Sequence, residues 1–398
     1  MSLERKVSEI FEYRPGIAGP PECRLPKELA DRVLVDVIHD GAVVPQEFMS
    51  DAGGDAIPFS AFGEAYVHER DWGANLVAQH LAGHLGLEGF WTVNVARVLL
   101  DYGRFPGSTR AGAGHLERRA INHPFSELLG YTQKKHLLEN YYDHISAGYD
   151  RLVQGKLIKL AVHTYDPNNK SGVRRPPISL ITRVSGYDHD SAGPLGTFDP
   201  LWPQELGEFT AHRVLRNRVA LTVEKRGYGC GHNWPYLLPE GSIEVRSQVW
   251  SFFYMLRMRF QEVYPESAAD PAFRRVWDML EDTNLRDSES EQLRSYLHSF
   301  RKAPRGLQED FEASRVAYEA VRGYVEADGR RVVEEYRFSP DRPSALGIEV
   351  RKDLVYEFDS EGRPLGPRTE QARAVAEAIA FGVASYLMRD RPDLSEGR

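Results

Sequence analysis

The stretch Val33-Leu34-Val35-Asp36-Val37-Ile38-His39-Asp40-Gly41 decides the reading of the fold. Its first six residues are an apolar, largely β-branched run broken only by Asp36. The run stops at a polar tip, as a buried strand does where it meets a loop. A helix follows: Leu76, Val77, Leu81 and Leu85 recur at helical spacing within residues 72–87, and Gly86 stands where a capping glycine belongs. Residues 92–96 form a second strand-like run ending at Arg97, and residues 157–162 a third ending at His163. Between these two, residues 124–155 read as a long helical stretch through Leu128, Leu137, Leu138, Tyr141, Ile145 and Leu152.

Such alternation places the chain in the α/β class, with a mainly parallel or mixed central sheet flanked by helices. Residues 178–182 read as a further strand, 208–225 as a helix, and 227–231 as a glycine-rich break. Residues 245–323 are almost wholly helical in pattern, through Phe252, Phe253, Leu256 and then 276–280, 293–300 and 311–324. Residues 345–348 return to strand and end at Glu349; a hairpin turn around Gly362 leads to a last helix over 370–388. The organisation expected is a proline-rich N-terminal arm over residues 1–31, a main α/β domain assembled from 32–244 and 330–398, and a helical insertion over 245–329.

The 398 residues carry 50 basic and 58 acidic side chains, a net charge of −8, with 41% hydrophobic and 27% charged residues. That is the balance of a soluble globular protein, and it argues against nucleic acid as a partner. No run reaches the length of a membrane-spanning helix, and the charged N-terminus lacks the apolar core of a signal peptide, so a cytosolic protein with no membrane partner is expected. Cys23 and Cys230 are the only cysteines, too few for a disulfide framework or a cysteine-rich metal site. Any metal must therefore be held by histidines and carboxylates.

His39, Arg97, His163 and Glu349 each follow a strand-like run, and open α/β sheets bind ligands at the carboxyl ends of their strands. Two neutral imidazoles and a carboxylate form a three-ligand set for Zn2+ that leaves a fourth position for water, the arrangement of a catalytic zinc. His39 and His163 supply the imidazoles. The third ligand belongs near the start of the helix after the first strand, where Glu69 and Asp71 both qualify and Asp71 is preferred. Each residue also has an ordinary reading: a hydrogen-bonded structural histidine, or for Asp71 an acid favoured by a helix dipole. Arg97 and Arg104 present planar forks suited to a substrate carboxylate, although an internal ion pair with Asp101 explains Arg97 equally well. Glu349, touching the metal's water without binding the metal, would be the general base and then the proton donor; a solvated surface glutamate is the alternative. Cys230-Gly231-His232 reads as a loop rather than a second metal site.

Six short blocks, in order, resemble those of the N-formylglutamate amidohydrolases, a family whose fold is similar to that of the zinc carboxypeptidases and aspartoacylase. Val37-Ile38-His39-Asp40-Gly41 with Pro45 resembles a Pro-His-Ser-Gly block, and Arg70-Asp71-Trp72-Gly73-Ala74 an acidic block before a helix. The run from Arg97 to Arg104 resembles a Ser-Arg, Asp-x-Asn-Arg block, and Ala161-Val162-His163-Thr164 with Pro167 an Asp-x-His-Ser block. Asn233-Trp234-Pro235-Tyr236 is similar to an Asn-x-Pro-aromatic block, and Ile348-Glu349-Val350-Arg351 with Leu354 and Tyr356 to a closing Ile-Glu block. The resemblance implies a hydrolase-type catalytic domain with zinc on His39, Asp71 and His163, Glu349 as acid/base, and Arg97, Arg104 and Asn233 toward the substrate. It implies cleavage of a linear amide in a small, carboxylate-bearing N-acyl amino acid. A carboxypeptidase- or aspartoacylase-like deacylase and a non-catalytic binding protein on the same fold are the alternatives. Ile38, Asp40, Gly103 and Thr164 depart from the family's proline, serine, asparagine and serine, which bears on the substrate more than on the metal. A second string, Ile243-Glu244-Val245-Arg246, offers Glu244 as another acid/base, less favoured because it follows the Asn-x-Pro-aromatic block closely and lacks the trailing leucine and tyrosine.

Overall fold

Seven strands form one mixed sheet in a computed structural model that describes residues 10–106, 120–184, 198–239, 241–284, 288–298 and 301–390. They are β1 (Phe11–Pro15), β2 (Val33–Val37), β3 (Gly89–Val93), β4 (Ile158–Tyr165), β5 (Ile178–Ile181), β6 (Cys230–His232) and β7 (Ser344–Arg351), in the spatial order β1-β3-β2-β4-β7-β5-β6. β3, β2, β4 and β7 are parallel; β1 and β5 run antiparallel to their neighbours β3 and β7, and β6 is parallel to β5. β2, β4 and β7 are buried along their whole length, as the covered faces of a parallel sheet require.

The longer helices are α1 (Ala74–Leu85), α2 (Asp143–Val153), α3 (Arg213–Lys225), α4 (Ile243–Val263), α5 (Pro271–Glu281), α6 (Ser288–His298), α7 (Gln308–Phe338) and α8 (Thr369–Ser385). Strand alternation sorts the central side chains between two faces. Val33, Val35 and Val37, with Leu160, Val162, Leu346 and Ile348, pack in one apolar core with α1, α3 and α8. The intervening residues Asp36, Lys159, His163 and Glu349 therefore face the other way, toward the side on which α4 packs against β7. Helices α4 to α7 share a further core that includes Phe252, Phe260, Trp277 and Phe311. The expected 245–329 segment begins inside α4 and ends inside α7.

Several expectations shift in detail. The N-terminal arm contributes an edge strand, β1, rather than serving only as a lead-in; residues 1–9 lie outside the described residues, as does Phe300 of the expected 293–300 helix. The second strand ends at Val93 instead of Ala96, and Val95 makes only an isolated bridge to Val43. The stretch 124–155 is broken into Phe125–Leu128, Tyr131–Leu137, a π-type turn over Leu138–Tyr142, and α2. Part of the glycine-rich break forms β6. β4 and β7 continue past the apolar run, so His163 and Glu349 lie inside strands rather than after them. A histidine and a glutamate remain in a covered strand when partners on the same face compensate their burial.

The arm is held to α1 by a close approach that only glycine permits. A Cβ on Gly83 would stand 1.6 Å from the Ile17 carbonyl oxygen, while the Ile17 amide donates to Gln79 O at 3.2 Å. Gly83→Ala is expected to cost about 1–3 kcal/mol and to free residues 16–18 from α1. Denaturant unfolding combined with limited proteolysis checks this; unchanged stability and cleavage would show that the arm adapts.

Candidate metal and catalytic site

From β2 the chain goes to β3 on one side and afterwards returns through β4 on the other, which makes the cleft at the carboxyl ends of β2 and β4 a topological switch point. His39 lies two residues beyond β2, Asp71 occupies the turn before α1, and His163 sits late in β4. The Asp71 amide donates to the His39 carbonyl at 3.0 Å. Asp40 ties the same two loops, accepting from Arg70 Nε at 2.8 Å and from the Asn75 amide at 3.0 Å. His39, Asp71 and His163 are all buried, and each offers one ligand atom within 4.8 Å of the others. Asp71 Oδ2 stands 3.1 Å from His163 Nδ1 and 3.7 Å from His39 Nδ1. Among the described residues this is the one such group of three or more. Glu69 is half-exposed, and its ion-pair partner among the described residues is Arg97, at 3.7 Å.

Two imidazole nitrogens and one carboxylate oxygen can hold a divalent transition metal. A histidine ligand is fixed by what its other ring nitrogen meets. His39 Nε2 lies 2.8 Å from Asp101 Oδ1, a hydrogen bond between buried groups. His163 Nε2 lies 3.9 Å from Glu244 Oε1, an ion-pair distance. Asp101 is held in turn by Arg97 at 3.2 Å, by Arg104 at 3.3 Å, and by the Gly103 amide at 2.8 Å. A Cβ on Gly103 would crowd both Asp101 Oδ1, at 3.0 Å, and His39 Cε1, at 3.1 Å. Glycine at this position therefore leaves the His39–Asp101 pair undisturbed.

The electrostatics follow from these contacts. Burial opposes the Asp71 carboxylate, but the His163 and His39 rings and Arg97 outweigh it and hold its pKa well below the usual range. Burial alone would depress His163, yet Asp71 and Glu244 raise it well above an ordinary histidine. Histidine binds a metal as the neutral imidazole, so a cation entering here competes with protons for the ring nitrogens.

Glu349 pairs in register with His163 across β4 and β7. Its Oε1 accepts a hydrogen bond from the Tyr236 hydroxyl, and its Oε2 is buried without a hydrogen-bond partner among the described residues. Burial, reinforced by Asp71, raises its pKa above the ordinary glutamate value despite opposing contributions from His163 and Tyr236. Glu244 faces His163 Nε2, and the two alternative acid/base glutamates have different surroundings: among the described residues Glu349 Oε2 has no hydrogen-bond partner, whereas Glu244 is bound to Lys159 at 3.3 Å.

Arg97 joins the set through Asp71 Oδ1 at 3.3 Å. Arg104 has a half-exposed side chain and also donates to Asn122 Oδ1 at 3.3 Å. Asn233, expected from sequence toward the substrate, accepts on its Oδ1 from the Thr182 and Arg183 amides at 2.7 and 3.0 Å. It anchors the loop that brings Tyr236 to Glu349. Tyr236 and the imidazole-backing role of Asp101 were not singled out from sequence, although Tyr236 lay in a quoted block and Asp101 in the arginine string.

No protein-family model matches the chain, and no curated protein does. Among solved structures, the N-formylglutamate amidohydrolase from Ralstonia eutropha JMP134 is similar over 96% of this chain and 99% of that one, at 13% identity and a TM-score of 0.48. A gene product from Agrobacterium tumefaciens is similar over 90% of this chain and 91% of that one, at 14% identity and a TM-score of 0.40. No helix among the described residues is long and apolar enough to cross a membrane.

Asp101→Asn is expected to weaken divalent-metal affinity on the order of 10–100-fold, because the His39 ring loses its charged partner. Competition against a chromophoric chelator measures this. Affinity of the unaltered protein should climb as pH rises, since histidine ligands bind the metal in their deprotonated form. An Asp101→Asn affinity equal to wild type would show that His39 orients itself without the carboxylate.

Proposed function

We propose that the protein is a zinc-dependent amidohydrolase that cleaves a linear amide in a small N-acyl amino acid bearing a carboxylate, of the N-formylglutamate type. The observation that carries the reading is the juxtaposition of three convergent ligand atoms on His39, Asp71 and His163 with a buried glutamate, Glu349, whose second oxygen is unpartnered. The six residue blocks supply the amide and the carboxylate-bearing substrate. Zinc held by these three residues would supply Lewis acidity toward an amide carbonyl and would acidify water.

The chain's own groups account for the remaining work. Glu349, kept basic by its dry surroundings, accepts a proton from the attacking water on Oε2 and returns it to the departing amine nitrogen. The Tyr236 hydroxyl fixes Oε1, so the proton-accepting oxygen has one orientation. Arg97 stabilises charge next to Asp71, and the half-exposed Arg104 presents its guanidinium to the substrate carboxylate.

Zinc-loaded wild type should hydrolyse at least one member of a panel of N-formyl and N-acetyl derivatives of glutamate and aspartate. Glu349→Gln should lose at least about 100-fold in kcat while its zinc content stays the same. Because burial raises Glu349, the acid limb of kcat/KM should lie above the ordinary glutamate value. Tyr236→Phe, by removing a hydrogen bond that lowers this pKa, should move that limb to higher pH. A fully active Glu349→Gln enzyme, or a zinc-loaded wild type inert toward the whole panel, would overturn the assignment.

A further inference from the structure

Behind His163 lies a row of charged side chains that the proposed reaction leaves unused. Lys159 precedes His163 by two residues on β4 and so shares its face of the sheet. Its Nζ stands 2.9 Å from Asp36 Oδ1 on the neighbouring strand and 3.3 Å from Glu244 Oε1 in the first turn of α4. All three side chains are at most 4% exposed. The oxygen that Lys159 holds, Glu244 Oε1, is the one that faces His163 Nε2. Ser242 caps α4 by accepting from the Val245 amide at 3.3 Å, and the helix start favours a carboxylate there.

Stability alone does not explain this row, because buried ion pairs are commonly replaced by well-packed apolar residues at no loss. Apart from the Tyr149 ring, over which Lys159 Nζ lies at 5.9 Å, the row leads to the His163 imidazole. A carboxylate facing Nε2 favours the tautomer with its proton on Nε2, which leaves the Nδ1 lone pair for the cleft it shares with Asp71. Two carboxylates and one ammonium give the row a formal charge of −1, whereas Asp101 behind His39 is matched by two arginines. The two imidazoles are thus backed unequally, and His163 has the more anionic support.

We infer that Glu244, fixed by Lys159 and Asp36, is a positioning residue that orients His163 and strengthens it as a metal donor. The inference rests on the metal-binding reading of His39, Asp71 and His163. The test is Zn2+ affinity by chelator competition, together with the ring-nitrogen NMR shifts of His163 in the zinc-loaded protein. Glu244→Gln keeps the size and an acceptor oxygen but removes the charge; affinity should fall on the order of 10-fold or more, with the His163 ring resonances displaced and the circular dichroism unchanged. Glu244→Gln leaves Lys159 paired with Asp36 and the row neutral; the triple variant Asp36→Asn/Lys159→Met/Glu244→Gln, which carries no charge at all, serves as a second neutral replacement, and it should show the same loss. Equal affinity and unmoved ring resonances in a folded variant overturn the inference alone. A wild type that takes up no Zn2+ fails at the earlier step and removes the metal reading with it.

Discussion

Asp71 carries the constraint on which the rest of the site depends: one buried carboxylate faces two imidazoles through Oδ2 and an arginine through Oδ1. Removing a carboxylate from water is costly unless its oxygens are met by charge or hydrogen bonds. Here both oxygens are met, but by groups from three separate segments, so the arrangement exists only when those segments are in place. The fold meets that demand at the backbone level. The His39 carbonyl takes the Asp71 amide, and Asp40 clamps Arg70 and Asn75, so the turn before α1 is locked to the end of β2. His163 then arrives on the adjacent strand, in a register fixed by continuous β2–β4–β7 pairing.

The same pairing distributes the remaining chemistry around the His163 ring. Glu349 stands beside it on β7, dry and with a free oxygen, in the condition required of a proton carrier. Glu244 stands behind it on α4, occupied by Lys159, in the condition required of a support. Two glutamates within similar Ile-Glu-Val-Arg strings thus have distinct surroundings because one lies on a strand and the other at a helix start. A carboxylate's chemistry follows its partners and hydration more than its neighbours in sequence.

Much of this was legible in the sequence, and the reasons for the remainder are physical. The β-branched run at 33–38 and the apolar runs before His163 and Glu349 reveal the central strands because strands covered on both faces are predominantly apolar. Their ends were misjudged where His163 and Glu349 stayed within the ladder, since the sequence does not show the partners that let a polar side chain remain buried there. Of the two acids that the sequence offers before the helix, Asp71 is buried with the imidazoles and Glu69 is half-exposed beside Arg97. The sequence does not show that the Asn233 side chain also holds backbone amides of residues 182 and 183, because that contact is made by tertiary placement. Asp36 and Lys159 gave a visible signal: each is a charge inside an otherwise apolar strand. Their meaning emerged only when register and α4 placed Lys159 between Asp36 and Glu244.

The central claim is that these side chains form a preorganised metal centre, and the metal content of the purified protein tests it most directly. Elemental analysis after exposure to zinc and removal of loosely bound ions should find about one zinc per chain in the wild type, the number a single three-ligand site holds, and essentially none in His163→Ala. A wild type without zinc after reconstitution, or a His163→Ala protein that retains it, would contradict the account.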